Sequence, residues 1–343
     1  MQALKNNATS FGETLFEKAE KYFVTRRYGK YASFFSLSKG LFFVILYIVA
    51  FYFFIFGNNN FSGTLWLAVL LGLCHVLIPV NISHDAIHQS LSKSKWINQL
   101  GLFGMEITGA NSYMYGKKHL EAHFNKENGS LVNNITLQGL LLQKKENKST
   151  VNLPYIFYLF YSQYMIFIRD FFLFSETREK IPFIEIVKLW LAKIIYATAF
   201  LVLPFSFIPL PWWEILLSVL LMYFIITVLL VVILLMPTEK METNKITGDD
   251  QWLIEIMAHN VDFSPKSRLL NYIVGGANLN VVHYLFPTVN HIHYNILAGL
   301  IEATANEFGV PYRKQEVKDV LGIHFNYLKN IQHTDTDLHA DVN

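Results

Sequence analysis

The sequence predicts an all-α integral membrane protein with four transmembrane helices. Only 16% of its 343 residues are charged and 52% are hydrophobic, whereas about a quarter of the residues in a soluble domain are charged. Four apolar runs each approach the ~20 residues that cross a bilayer, and short connections group them into two helical hairpins. The runs lie at about 40–56, 64–83, 186–208 and 213–236.

Lysine and arginine predict how these hairpins are oriented. The short connections 57–63 and 209–212 contain neither residue, whereas the N-terminal segment, the central loop and the tail contain nearly all of them. By the positive-inside rule, both termini and the central loop face the cytoplasm. Every histidine except His75 falls in these cytoplasmic parts.

The polar parts predict a helical cytoplasmic cap that holds a histidine-rich metal site. We expect residues 1–36 to form an amphipathic cytoplasmic segment and residues 37–343 to form a single membrane domain. The cap is drawn from 84–185 and 237–330, and the polar residues 331–343 are predicted to be a disordered tail.

Two weaker apolar segments, 96–115 and 153–175, interrupt the central loop. We interpret both as helices at the membrane interface or under the cap. The alternative, a fifth and a sixth span, would place histidine groups on opposite sides of the membrane. In the tail, 311–329 is interpreted as an amphipathic helix.

Net charge and cysteine content exclude several classes of function. A formal net charge of +2 gives no indication of a nucleic-acid partner. The single cysteine, Cys74, excludes a disulfide framework and a cysteine-ligated iron–sulfur or zinc site within this sequence.

Histidines carry the strongest chemical signal. His84 and His88 follow the second apolar run and are four residues apart, so they share one helix face. His119 and His123 repeat this spacing, and His283 lies in the tail. Imidazole binds iron, zinc, copper and nickel. The pattern therefore predicts a metal centre just above the bilayer.

The flanking residues extend this pattern into a family resemblance. H-D-A-I-H at 84–88 and K-K-H-L-E-A-H-F-N-K-E-N at 117–128 resemble the first two histidine boxes of membrane fatty acid desaturases. The stretch R-L-L-N-Y-I-V-G-G-A-N-L-N-V-V-H-Y-L-F-P-T-V-N-H-I-H-Y at 268–294, with G-V-P-Y at 309–312, is similar to the third-box region of the bacterial linoleoyl-CoA and front-end types.

The resemblance implies a fold and an activity. Members of this family place four transmembrane helices under a cytoplasmic cap, where histidines bind two irons that activate O2. The substrate would be an acyl chain carried by coenzyme A, an acyl carrier protein or a lipid. Electrons would come from an external donor, a ferredoxin or a cytochrome b5-like protein. Lys117-Lys118 and Lys144-Lys145 would attract such a donor, or are simply positive-inside residues.

Three family ligands are replaced in this chain. Phe124 and Tyr284 stand where the second and third boxes have a second histidine, and Met236 lies in the run that matches a histidine near the end of the fourth helix. Two irons remain the expectation from the family, and one iron is the alternative. The predicted metal ligands are His84, His88, His119, His123, His259 and His283.

Other polar residues near the boxes either have no assigned role or are expected to have a structural one. Glu121 and Glu255 are possible oxygen ligands with no assigned role, and Asp85 either orients an imidazole or caps a helix. His291 and His293 are expected to support the site structurally. We expect His75, inside the second span, to bond to a neighbouring helix.

Three functions are consistent with these features. The first is a membrane-bound, O2-dependent non-haem iron oxidoreductase that desaturates or hydroxylates an acyl chain. The second is a divergent oxygenase with one or two metals that acts on a different substrate. The third is a catalytically inactive family member that binds lipid or regulates a partner.

Overall fold

A computed structural model describes residues 10–124, 161–177, 181–234, 250–319 and 322. Among these residues the protein is mostly helical, and two strands of two residues each, β1 (Asp262–Phe263) and β2 (Lys314–Gln315), pair in parallel. In chain order the helices are α1 (Phe11–Val24), α2 (Phe34–Phe56), α3 (Phe61–Ile87), α4 (Lys95–Ile107), α5 (Ser112–Phe124), α6 (Arg169–Glu176), α7 (Phe183–Phe207), α8 (Trp212–Leu234), α9 (Gln251–His259), α10 (Arg268–Ile273), α11 (Asn280–Leu285) and α12 (Tyr294–Phe308).

Four of the described helices, α2, α3, α7 and α8, are long and apolar enough to span a bilayer. They confirm the prediction of four spans. The first span begins at Phe34 rather than near residue 40, because Lys39 is buried against the cap and interrupts only the sequence pattern. The predicted end of the fourth span, 236, lies outside the described residues.

Close packing between α3 and α8 forms the centre of the membrane part. A methyl group added at Gly72 would lie 2.8 Å from the carbonyl oxygen of Met222. Small residues let transmembrane backbones approach in this way. The apolar core around this contact includes Leu71, Val219 and Ile226.

The cap has its own apolar core. Phe11, Leu15 and Ala19 form the buried face of α1 and pack against Leu297 and Ile301 of α12. Lys18 of α1 also pairs with Glu307 of α12 at 2.7 Å. The N-terminal helix is therefore part of the packed cap, while the predicted boundary at residues 36 and 37 stays a prediction.

The segment 96–115 forms two helices rather than one. It breaks between α4 and α5 at Gly109, whose φ of +82° is a conformation that favours glycine. The side chains of Trp96, Leu100 and Phe103 on α4 are exposed, as expected for a helix that lies at the membrane interface.

Two further predictions concern the cap. Of 153–175, the structure describes only 161–175, which is helical. The prediction of a helix from residue 311 is wrong at its start, because Lys314–Gln315 is the extended strand β2 paired with Asp262–Phe263. The predicted disordered tail, 331–343, lies outside the described residues.

Candidate metal centre

Three helices bring five of the predicted ligands together. His84 lies in the last turn of α3 and His88 directly follows that helix. His119 and His123 lie one turn apart on α5, and His283 lies on the short helix α11. His88, His123 and His283 are buried, and the other two are half-buried.

The five imidazoles point their Nε2 atoms at one another. His119 Nε2 lies 3.2 Å from that of His84, 2.9 Å from that of His88, 3.3 Å from that of His123 and 3.2 Å from that of His283. The Nε2 atoms of His123 and His283 are 2.8 Å apart. One nitrogen in contact with four others defines a compact cluster rather than a chain of hydrogen bonds.

This arrangement fits a bound cation. A neutral imidazole nitrogen either donates one hydrogen bond or accepts one, so His119 Nε2 cannot bond to four nitrogens. Lone pairs that converge at such distances repel unless a positive ion lies between them. All-nitrogen donor sets of this kind suit iron, zinc, copper and nickel.

Burial keeps the ligands in the form that binds metal. Desolvation, reinforced by the neighbouring histidines, lowers the pKa of His88 to about 2 and of His123 to about 3. The same causes lower the pKa of His119 and of His283 well below the ordinary value. Near neutral pH these imidazoles are uncharged, which is the state required for metal coordination.

A π-helical turn aims the first pair of histidines. Residues Pro79–Ser83 form this turn inside α3 directly before His84, and such turns are frequent at functional sites. The hydroxyl of Ser83 donates to the carbonyl of Gly101 on α4 at 2.8 Å. After His88 the chain turns sharply at Gln89, whose φ is +55°.

Two glycines let the third-box region approach that turn. Gly275 and Gly276 both have positive φ. A methyl group at Gly275 would overlap the carbonyl oxygen of Val80, and one at Gly276 would lie 2.7 Å from the ring of Tyr294. Gly275 is therefore required by its contact with the backbone of α3, and Gly276 by its contact with the side chain of Tyr294.

Asp262 fixes the helix that carries His283. Its Oδ1 accepts a hydrogen bond from the backbone N–H of Val281, at the start of α11, at 2.7 Å. Its Oδ2 accepts a second from the hydroxyl of Tyr312 at 2.7 Å. His283 Nδ1 in turn lies 3.1 Å from the hydroxyl of Tyr294, which leaves Nε2 to face the cluster.

Asp85 does not orient any of the five clustered imidazoles. Its Oδ2 accepts from Asn290 Nδ2 at 2.7 Å and lies 2.5 Å from His291 Nδ1. The other ring nitrogen of His291 lies 3.0 Å from Lys39 Nζ. This buried network ties the first span to the cap beside the cluster, so the structural role predicted for His291 agrees with its contacts.

The remaining described histidines also lie outside the cluster. His293 Nδ1 lies 3.0 Å from the hydroxyl of Tyr22, which fits its predicted supporting role. His75, inside the membrane, lies 2.9 Å from the hydroxyl of Tyr196 on α7. The bond to a neighbouring helix predicted for His75 is therefore present.

The two glutamates considered as possible oxygen ligands have other partners. Glu121 pairs with Lys118 at 3.5 Å, and Glu255 accepts from Gln251 Nε2 at 2.9 Å. His259 ends α9, and its side chain is outside what the structure describes. Its assignment as a ligand stays a prediction.

A tyrosine takes the place of one missing family ligand. The ring of Tyr284 packs on that of His123 with 4.6 Å between centroids. Burial raises the pKa of Tyr284 to about 12, so it is a neutral phenol. Met236 lies outside the described residues, and the side chain of Phe124 is not described either.

Sequence reasoning did not single out several residues that hold the site. Tyr294 and Tyr312 lie in the H-x-H-Y and G-V-P-Y motifs, so the family pattern contained a signal for both. Asp262 and Lys39 lie in no motif, and only the fold brings them to their partners.

Known proteins resemble this chain over most of its length. The sequence model of the family described as Fatty acid desaturase matches residues 60–316, which include all five clustered histidines. The chain is 26% identical over 310 residues to the sn-1 linoleoyl-lipid 6-desaturase of Arthrospira platensis, covering 83% of this chain and 82% of that protein. It is 25% identical over 343 residues to the acyl-lipid (8-3)-desaturase of Physcomitrium patens, covering 92% and 70%. A second sn-1 linoleoyl-lipid 6-desaturase, from Synechocystis sp., is 24% identical over 80% of this chain and 82% of that protein.

Proposed function

Because the chain belongs to the fatty acid desaturase family, we propose that it is an O2-dependent iron oxidoreductase that introduces a double bond into the acyl chain of a membrane lipid. The resemblance found in the sequence is confirmed, and the chain is an integral membrane protein with four spans among its described residues. The observation that carries the proposal is the cluster of five imidazoles at the end of a membrane-spanning helix.

Iron is the metal proposed for this cluster. His84, His88, His119, His123 and His283 would hold it through Nε2, and His259 is a further ligand proposed from the sequence alone. Bound iron would supply the activation of O2 that removes hydrogen from an unactivated C–H bond. The residues around it keep the imidazoles neutral, hold their orientation and exclude water.

The position of the cluster supports a lipid substrate. His84 belongs to the last turn of α3, a helix that spans the bilayer. The acyl chain of a membrane lipid lies in the hydrocarbon layer. One of its carbon atoms could reach the depth of His84 at the edge of this layer, and the chain would not have to enter water. The named relatives act on acyl lipids, so we propose an acyl lipid rather than a coenzyme A ester as the carrier.

The reaction requires electrons from outside the chain. Desaturation removes two hydrogen atoms from the substrate, and O2 takes these together with two electrons and two protons to give two molecules of water. With Cys74 as the single cysteine, the chain holds no iron–sulfur cluster of the kind bound by four cysteines. We propose a ferredoxin or a cytochrome b5-like protein as donor, docking on the cytoplasmic face.

Product analysis tests this function. Membranes containing the full-length chain are supplied with a phospholipid bearing a linoleoyl chain, a reduced donor system and O2. We expect a fatty acid two mass units lighter, formed only with O2 and absent for His119→Ala. The control is Asn306→Ala, at an exposed position of α12 outside the cluster, which should keep activity.

Other products would change the assignment. A product 16 mass units heavier would make the protein a hydroxylase instead. Metal binding without any O2-dependent product, across saturated and unsaturated acyl lipids, would overturn the proposal and favour an inactive family member.

A further inference from the structure

We propose that the five imidazoles bind one metal ion, so that this centre is mononuclear where the family resemblance implies two irons. The inference depends on the proposed function only in taking the cluster as a metal centre. It concerns His84, His88, His119, His123 and His283.

The distances between nitrogens match those around a single ion. With metal–nitrogen bonds of ~2.1 Å, neighbouring ligands of one ion lie about 3.0 Å apart. His119 Nε2 lies 2.9–3.3 Å from the other four. In a two-metal site the ions are roughly 3.5–4 Å apart, and the ligands divide into two groups. Ligand atoms of His84, His88, His119 and His283 all lie within 4.8 Å of one another, and His123 Nε2 joins this group through His119 and His283.

The ring positions show the same geometry. The centroids of His88, His119 and His283 form a triangle with sides of 4.9, 4.8 and 5.3 Å. The ring of His84 lies 4.5–5.0 Å from all three, and that of His123 lies 4.5–4.9 Å from all three. The rings of His84 and His123 are about equally far from all three corners of this triangle. On the same face of the triangle they would overlap, so they lie on opposite faces.

Five rings arranged around one centre in this way are expected when all five bind a single ion. Five donors surround the centre of the triangle, three in its plane and one on each side. The cluster is complete for one ion without drawing on a second set of ligands.

The other described histidines are engaged elsewhere with both ring nitrogens. His75 contacts Leu71 and Tyr196. His291 contacts Asp85 and Lys39. His293 contacts Tyr22 and the backbone carbonyl of Tyr31.

The residues at the positions of the three missing family ligands also favour a single ion. Phe124 has no donor atom, and Met236 offers only a thioether, a soft ligand that suits Cu(I) better than iron. Tyr284 packs its ring on His123. Within the described part of the chain, no second group of nitrogen ligands remains for another iron.

Metal content per chain tests the inference. The full-length protein is purified in detergent, loaded anaerobically with Fe(II), freed of excess metal and analysed for iron and zinc by mass spectrometry. We expect one ion per chain, and two ions would overturn the inference. His119→Ala should weaken iron binding at least about tenfold and so leave less than one ion per chain, because all four other ligands adjoin this residue.

Two variants separate the alternatives. Asn306→Ala, at an exposed position of α12, is the control and should keep one ion. His259→Ala tests for a second ion. A content that stays at or below one ion agrees with the inference, whereas a fall from two ions to one would show a second metal bound with the help of α9. An unchanged content in His119→Ala would contradict the shared site.

A spectroscopic count on the unaltered protein does not depend on how the variants fold. The nitric oxide adduct of a single ferrous ion has a half-integer spin, and its electron paramagnetic resonance signal should integrate to one centre per chain. Two centres, or a coupled pair without this signal, would contradict the inference.

The outcomes also separate this inference from the proposed function. Two ions together with desaturation would overturn only the mononuclear centre. One ion without any O2-dependent product would overturn only the function. A chain that binds no ion would overturn both.

Discussion

The hydroxyl of Tyr294 orients one of the five clustered imidazoles. It lies 3.1 Å from His283 Nδ1 and belongs to the first residue of α12. A partner of this kind fixes which ring nitrogen is free for a metal. The ring of Tyr294 also packs beside Gly276, so the hydroxyl can be removed while the packing is kept.

Tyr294→Phe should weaken metal binding without unfolding the cap. The expected loss of Fe(II) affinity is about tenfold to a hundredfold, because an outer partner of a ligand is lost. Competition with a chelator of known affinity measures it. Tyr28→Phe, at an exposed tyrosine of the cap, is the matched control. Equal affinities for both variants would contradict the orienting role.

Asp262 is a second residue that affects the site indirectly, because it fixes the helix that carries His283. It is buried, and desolvation raises the pKa of its carboxyl from 3.8 to about 7. At pH values between 3.8 and about 7, the Asp262 carboxyl keeps its proton in the folded chain but has lost it in the unfolded chain. Stability contributed by this group is therefore full below pH 3.8 and falls as the pH rises to about 7.

Asp262→Asn should remove that pH dependence. The unfolding temperature of the unaltered protein, measured relative to this variant in detergent, should fall as the pH rises from about 4 to about 7 and then level off. The amide oxygen of asparagine can still accept from Val281. A difference that stays constant across this range would contradict the raised pKa.

At the scale of elements, the loop before α11 presses against the π-helical turn of α3. Gly275 has a φ of +60° and lies directly against the carbonyl of Val80. The side chain of Asn81 in the same turn donates to the carbonyl of Ile273 at 2.9 Å. These contacts set the distance between His84 and His283.

Gly275→Ala should destabilise the protein more than Gly309→Ala. Both glycines have positive φ, so both variants carry a backbone strain of about 1–2 kcal/mol. A methyl group at Gly309 meets nothing within 4 Å, whereas one at Gly275 collides with backbone. Thermal unfolding in detergent measures the difference. Equal losses would show that the contact with α3 is unimportant.

Helical periodicity predicted part of this site and could not predict the rest. The spacing of His84 with His88, and of His119 with His123, is local and therefore visible in the sequence. The contact between Lys39 and His291 joins residues 252 positions apart. No periodic pattern records such a contact, and His283 entered the predicted set only with the help of the family motif.

Local sequence patterns also gave wrong boundaries for two elements, because contacts between residues distant in sequence determine the structure there. The Lys39 side chain, which delays the start of the apolar run in the sequence, is buried because the cap supplies the carbonyl of Tyr272 at 2.5 Å. The extended residues Lys314–Gln315 resemble the start of a helix in sequence but find a partner strand at Asp262–Phe263. Tertiary contacts decided both outcomes.

At the scale of the whole molecule, the orientation in the membrane rests on the positive-inside rule. Cys74 is buried, so it can be replaced by alanine to give a cysteine-free background. Asn58→Cys lies in the connection between α2 and α3, and Ser94→Cys lies in the cap, both at exposed positions.

A membrane-impermeant maleimide should distinguish these two sites. In intact cells it should label Asn58→Cys, and it should label Ser94→Cys only after the membrane is opened. The reverse pattern would place the cap and the histidine cluster outside the cytoplasm. That result would exclude a cytoplasmic electron donor.

The central claim is that imidazoles from α3, α5 and α11 meet around a metal. Crystals of the iron-loaded, full-length chain, measured at the iron absorption edge, test it most directly. We predict one anomalous peak at about 2.1 Å from the Nε2 atoms of all five clustered histidines. A peak elsewhere, or no peak at this cluster in an iron-loaded protein, would contradict the account.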